Sequence, residues 1–305
     1  MSDKVGSRLS VFLTGGTGFV GRHVARRLAE HGHQLRALVR NPTAASSLTE
    51  LGAELFEGDV TRDEELDEAL AGCDVVVHLV GIIRERPPRQ TFENVHTRGT
   101  QRLVEAARRA DIGKFILMSA LGAKTDGTAY QRTKYEAEEV VRRSGIAYVI
   151  FRPSVIVGPD GEFMQLLLRV IRGLPLIPVI GDGRYRLQPV DVTDLAEAFA
   201  QAVERSNLKD ESFEVGGPHK LTYNRLLEII CEELGLSRRL IHVSPRLVRP
   251  LVDLASNWRL PTPISSDELT MMFEESIIPG EGNVLREVFG LEPTPFRSVL
   301  QRLAG

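Results

Sequence analysis

Cysteine is scarce in this sequence: Cys73 and Cys231 are the only two, and they lie far apart. That leaves no disulfide framework and fits a reducing compartment, with both thiols packed as small hydrophobes. The seven histidines never recur at metal-ligand spacing, so no metal site is expected. No apolar run approaches the ~18–20 residues of a membrane span. The opening "MSDKVGSRLS" lacks the apolar centre of a signal peptide. Nor does one sign of charge dominate: 38 basic against 41 acidic residues leave a net −3, which gives no reason to expect nucleic acid or an anionic membrane as main partner. The pairs Arg26-Arg27, Arg108-Arg109 and Arg142-Arg143 are interleaved with acids and read as solvated helix faces. Repeats and low-complexity tracts are absent as well. The expectation is a soluble cytoplasmic protein with enough chain for one large domain or two intimate ones.

What is present is an alternation. "LSVFLTG", "QLRALVR", "AELFEGDV", "DVVVHLVG", "KFILMSA" and "AYVIFRPS" read as short buried strands. Between them, "GRHVARRLAEHG", "DEELDEALAG", "TRGTQRLVEAARRADI" and "AYQRTKYEAEEVVRRSG" repeat apolar residues at helical spacing. Gly32 and Gly145 stand where helix C-caps belong, and Asp63 opens a turn with acids early in its helix. Uniformly apolar strands alternating with helices predict an α/β fold, a Rossmann-type doubly wound parallel sheet covered on both faces. Residues 1–8 are expected to be a disordered tail and 9–155 a dinucleotide-binding core, with its sheet completed by about 186–217. Residues 156–185 and 218–305 then form a smaller, mostly helical substrate-side part, punctuated by prolines at 245, 250, 261, 263 and 279.

"VFLTGGTGFVGRHVARRL" sets Gly15, Gly18 and Gly21 between the first strand and first helix. Gly15 allows the tight turn, Gly18 lets backbone approach a pyrophosphate, and Gly21 permits close helix–strand packing. Thr17 belongs to the same turn, and the amides near Phe19 and Val20 at the helix start face the phosphate charge. An acid at the end of the second strand would accept from an unphosphorylated ribose, but Gln34 to Thr49 contains no Asp or Glu. Arg40 stands there instead and suits a 2′-phosphate, so NADP(H) is expected over NAD(H). Asp59, after the third strand, either accepts from the adenine amino group or caps a helix.

Together the TGGTGFVG turn, Asp59-Val60, Ser119 and the Tyr130–Lys134 pair resemble the short-chain dehydrogenase/reductase superfamily, with its GxxGxxG turn and YxxxK helix. "NVHTRGTQRLVEAA" and "FRPSVIVGP" are similar to its extended or atypical branches. "LMSALGA", "YQRTK" and "RYRLQPVDVTDLAEAF" are most similar to proteins related to the nucleotide-binding accessory subunit of respiratory complex I, over roughly Ser10 to Gly217. The resemblance implies that Lys134 holds the nicotinamide ribose and Pro153 lines the nicotinamide. It also implies that Val60, Leu79 and Gly81 belong to the cofactor site. Two departures stand out. Where nucleotide-sugar enzymes of the superfamily carry a phosphate-holding arginine after "GDG", this chain has Leu187, with Arg184 and Arg186 nearby. The Ser119–Tyr130 interval is also short, so the substrate-side loop is small.

Residues four apart share a helix face, so Tyr130 and Lys134 can reach one cleft. A free tyrosine titrates near ~10. The neighbouring ammonium and an oxidised nicotinamide are expected to lower it, so that the phenol can pass a proton to or from the reacting oxygen. Ser119, ending a parallel strand, is expected to hydrogen-bond the carbonyl. The leading expectation is an oxidoreductase moving hydride between NADP(H) and a carbonyl or alcohol of a small, mainly apolar substrate. The alternative is a cofactor-holding accessory, assembly or redox-sensing protein, and a nucleotide-sugar epimerase or dehydratase comes third. "SPRLVRPLVDLASNWRLPTP" carries an apolar stripe with Arg246, Arg249 and Trp258. It reads either as packing on its own domain or as a helix docking on a membrane surface or membrane complex.

Overall fold

The computed structural model describes residues 8–62, 66–257 and 265–304. Expectations for the N-terminal tail (1–7), Asp63, Trp258, Pro261 and Pro263 lie outside these residues, as does the side chain of Leu251. The chain forms two compact units. The first comprises residues 1–153 and 192–214, and the second comprises residues 154–191 and 215–305.

In the first unit, strand β1 (Ser10–Thr14) leads into helix α1 (Phe19–Glu30), then β2 (Gln34–Val39), α2 (Ser46–Glu50), β3 (Glu54–Glu57), α3 (Asp67–Leu70) and β4 (Val75–His78). A wide π-type turn over Glu93–Arg98 opens α4 (Gly99–Arg109), followed by β5 (Lys114–Met118), α5 (Ala129–Arg142) and β6 (Ala147–Pro153). Helix Val192–Glu204 and strand Glu211–Val215 complete the sheet, whose order is β3-β2-β1-β4-β5-β6 with Glu211–Val215 at the edge. The pairings from β3 through β6 are parallel, as the uniformly apolar strands predict. Phe12, Val76, Phe115 and Ile150 bury one face of the sheet beneath Leu103 and Val141. On the other side, helix Val192–Glu204 packs on α1.

Caps set the helix ends. Gly32 (φ +83°) closes α1 while His33 N–H reaches Leu28 O and Gly32 N–H reaches Ala29 O, a Schellman ending. Asp111 (φ 53°) ends α4 the same way. Thr128 and Gln131 form a reciprocal capping box that fixes the first turn of α5.

The second unit is mostly helical in its regular elements, with short β-ribbons among the helices. Of residues 186–217, only Glu211–Val215 joins the main sheet; Val190–Asp191 pairs instead with Ile156–Val157 in the second unit. Two further ribbons join Leu176–Ile180 to Arg239–Val243 and Arg186–Leu187 to Leu221–Thr222. Helices Glu162–Gly173, Tyr223–Glu233 and Phe296–Ala304 close a core around Met164, Ile177, Leu226, Ile230 and Val299. Arg302 on the last helix pairs with the buried carboxylate of Asp191. Among the described residues, no helix is long and apolar enough to cross a membrane.

Candidate functional site

In a doubly wound sheet, the strand order reverses on either side of β1, and ligands bind at the carboxyl ends of the strands there. The predicted residues of the first unit gather at that edge, from Gly15 after β1 to Pro153 at the end of β6. Gly15 has φ +77°, and a Cβ on it would sit 2.9 Å from Leu79 C and Val80 N, so both conformation and space require glycine. Gly18 N–H closes the turn onto Gly15 O at 3.0 Å. A Cβ on Gly21 would fall 2.0 Å from that same oxygen, so the third glycine lets the helix press on the turn. Helix α1 starts at Phe19 with no side-chain cap and no acid in its first turn. Thr17 and Gly18 are exposed beside it and Val20 is buried. A cradle of this kind fits an anionic pyrophosphate.

Arg40 is exposed just past β2, with no ion pair among the described residues. Asp59 Oδ1 closes a turn, accepting from Thr61 N–H and Thr61 Oγ1, each at 2.9 Å. Val60 is buried against Gly99, where a Cβ would meet its Cγ2 at 3.1 Å. Leu79 N–H donates to Thr14 O at 3.1 Å and extends β4 to the site edge. Pro153 O accepts from Leu121 N–H at 2.9 Å, tying the end of β6 to the loop after β5.

Around the end of β5 the groups converge. Lys134 is buried and its Nζ donates to Met118 O at 3.2 Å; a Cβ on Gly81 would lie 2.9 Å from that nitrogen. Burial brings the ammonium down to about 8, partly offset by Glu138 one turn along. Glu138 is itself fully buried, held by Arg152 through two bonds (2.8 and 2.5 Å) and by Arg142 at 2.9 Å. Ser119 Oγ is buried with no hydrogen-bond partner among the described residues. An orphaned hydroxyl at a strand end is costly unless something arrives to meet it.

Tyr130 departs from expectation. Its residue surface is partly open, yet the phenol sits deep among protein atoms, with its ring edge-on to Phe92 and His96 at 5.7 and 5.5 Å. Burial pushes it up to about 12, not down. Lys134 is turned toward Met118 O and itself partly desolvated, so it does not offset the loss of water around the phenol. The sequence reading also missed His96 and His78. Both are buried polar residues, and a lone histidine at a strand end (His78) or inside a helical pattern (His96) carries no periodic signal that marks it out.

The profile described as NAD(P)H-binding matches residues 15–166, the segment that builds this cradle. Over 286 residues the chain is 28% identical to the mitochondrial NADH-ubiquinone oxidoreductase 40 kDa subunit of Neurospora crassa, covering 92% of this chain and 74% of that one. It is 31% identical to the ceramide reductase of Caulobacter vibrioides, covering 76% of this chain and 73% of that one. The chain belongs to the NAD(P)H-binding Rossmann family. Its type is that of the extended short-chain dehydrogenases/reductases, so the family resemblance legible in its motifs holds. The fold is also that of the Escherichia coli NADPH-dependent quinone oxidoreductase QOR2, solved with NADPH, at TM-score 0.79 and 19% identity, covering 97% of this chain and 100% of that one.

Proposed function

We propose that this NAD(P)H-binding protein is an oxidoreductase that moves hydride between NADP(H) and a carbonyl or alcohol of a small, mainly apolar substrate. The observation that carries the reading is the unpartnered Ser119 hydroxyl, buried at the end of β5 beside a buried Lys134. A substrate carbonyl would satisfy that hydroxyl, and Tyr130, held protonated, would supply the proton to the developing alkoxide. The bound nicotinamide supplies the hydride. The Gly15–Gly21 turn and the α1 amides would hold the pyrophosphate, Asp59, Val60, Leu79 and Gly81 would flank the adenosine and ribose, and Lys134 would hold the nicotinamide ribose above Pro153. The preference for NADP(H) rests on Arg40, exposed where an acid would otherwise select NAD(H).

An apolar substrate is favoured over a nucleotide sugar because Leu187 stands where nucleotide-sugar enzymes of the superfamily carry a phosphate-holding arginine. Leu187 is buried in the ribbon with Leu221, and Arg186 is engaged by Glu275 at 2.7 Å. Likeness to a ceramide reductase points the same way. A second reading, a cofactor-holding accessory protein attached to a membrane complex, is supported by likeness to the 40 kDa subunit across most of the chain.

The deciding experiment identifies the nucleotide that copurifies by mass spectrometry, then measures NADPH and NADH binding by calorimetry and turnover over a panel of carbonyls. NADPH retention with turnover supports the oxidoreductase. Retention with no turnover across the panel supports the accessory reading, and binding of neither nucleotide overturns both.

A further inference from the structure

We propose that His96 is a positioning residue: it clamps the loop after β4 to the first turn of α5 and so sets where Lys134 and Tyr130 stand. The inference rests on reading this edge as an NADP(H) site. His96 is 1% exposed and every polar atom of its ring is used. Its Nε2 accepts from Ile82 N–H at 3.1 Å, which leaves the ring proton on Nδ1. Nδ1–H donates to Thr133 Oγ1 at 3.0 Å. Thr133 donates in turn to Ala129 O and Tyr130 O, at 2.9 and 3.1 Å, within the first turn of α5. The ring edge meets Tyr130 at 5.5 Å and stacks on Phe92 at the same separation. A Cβ on Gly81 would lie between the His96 ring and the Lys134 ammonium, 3.7 Å from Nε2 and 2.9 Å from Nζ.

The backbone of His96 is anchored from the other side. Its carbonyl accepts from Thr100 Oγ1 at 2.6 Å, so Thr100 accepts from His78 Nε2–H at 3.1 Å. That leaves His78 Nδ1 to accept from Thr14 Oγ1 at 2.6 Å, at the end of β1. One buried polar chain therefore runs from the glycine turn's own strand, across β4 and α4, to the helix that carries Tyr130 and Lys134. The π-type turn over Glu93–Arg98 places His96 within it. A protonated His96 would aim a donor at Ile82 N–H and set a second cation beside Lys134. Burial and that ammonium hold the ring neutral, down to about 2.

The test uses the full chain with 15N-labelled histidine, fluorescence titration with NADPH, and 9,10-phenanthrenequinone as carbonyl probe. In the native protein the His96 ring should stay neutral with its proton on Nδ1 down to about pH 5, well below the ordinary imidazole value of ~6.5. His96→Leu and Thr133→Val should each weaken NADPH by about 2- to 10-fold, as for a lost neutral hydrogen bond. Each should lower kcat by about 10- to 100-fold with little change in the KM of the quinone, as misplaced groups do. His96→Gln keeps an acceptor for Ile82 and should restore NADPH affinity while kcat stays low. Thr133→Val keeps the buried volume and decides the matter if His96→Leu does not fold. Native NADPH affinity and kcat in Thr133→Val, or a His96 ring protonated at about pH 6, overturns the inference and leaves the cofactor reading standing. A native chain that binds neither NADPH nor NADH overturns the cofactor reading and takes this inference with it.

Discussion

Lys134 and Tyr130 are held in opposite ways by the same burial: the ammonium is pushed toward neutrality and the phenol is kept protonated. A phenol in that state suits the reduction direction, in which it gives up its proton. Tyr130→Phe should leave folding and NADPH affinity nearly unchanged and lower turnover by ~10²–10⁴, the usual range for a positioned acid. Full activity in that variant on a genuine substrate would reduce the pair to a ribose clamp. Lys134→Ala should impair both turnover and NADPH binding, and calorimetry beside kinetics separates the two. Arg40→Asp should erase or invert the NADPH preference, since each charge-assisted bond to the 2′-phosphate is worth ~1.5–3 kcal/mol. Equal affinity of the native protein for NADPH and NADH would sink that assignment. Gly21→Ala drives a methyl into Gly15 O, and a strained insertion of this kind costs about 1–3 kcal/mol, readable in urea unfolding.

At the scale of elements, the first unit is legible because its central strands β1 and β4 are apolar runs and its long helices are periodic, bounded by Gly32 or a capping residue. The second unit's ribbons were hidden for a physical reason. Leu176–Ile180 finds its partner in Arg239–Val243, some 60 residues on, and its burial alternates around Pro178 in a stretch that reads as loop. The glycine turn, Ser119, Tyr130 and Lys134 were legible by motif and spacing. The His96 chain was not, because it exists only once two strands and two helices are assembled. Glu138 was equally hidden within the α5 pattern. Removing it by Glu138→Ala leaves the Arg152 guanidinium to the more distant Glu214 carboxylate at 4.0 Å and should destabilise the fold by up to about 3–5 kcal/mol, measured by denaturant unfolding.

A second element-level test concerns the contact of α1 with helix Val192–Glu204. His31 bonds Glu204 at 3.0 Å and Glu197 at 3.2 Å, with Arg27 on Glu197 and His33 on Glu204. Burial lowers the His31 imidazole, but Glu204 and Glu197 outweigh it and the net shift is upward from 6.5. A raised folded value gives stability that is complete below the unfolded value and is lost as pH rises through the folded one. His33, lowered by burial, works in the opposite sense, losing stability as pH falls. The melting-temperature gap between native protein and His31→Gln should therefore be wider near pH ~5.5 than near pH ~8.5. A gap independent of pH would show that the ring acts only by packing.

For the whole molecule, the open question is attachment. Leu247 and Leu254 on helix Pro245–Asn257 are 68% and 56% exposed, and Arg249 from the same helix bonds Thr270 at 2.8 Å. On the accessory reading, vesicles containing anionic lipid or a membrane complex should retain the native chain and release the variant with Leu247→Glu and Leu254→Glu. Equal recovery of both in the soluble fraction would remove that reading's second support.

The interleaving of the two units has a consequence for how the protein is made. The first unit draws its last helix and edge strand from beyond residue 191, after the chain has already supplied part of the second. At ~5–20 residues per second, the ribosome needs about 3–12 s to go from residue 153 to residue 214. Until then β6 has no edge partner and the face of α1 meant for helix Val192–Glu204 is bare. Nascent chains stalled within that window should yield no protease-resistant first unit, and chains extended well past residue 215 should yield one.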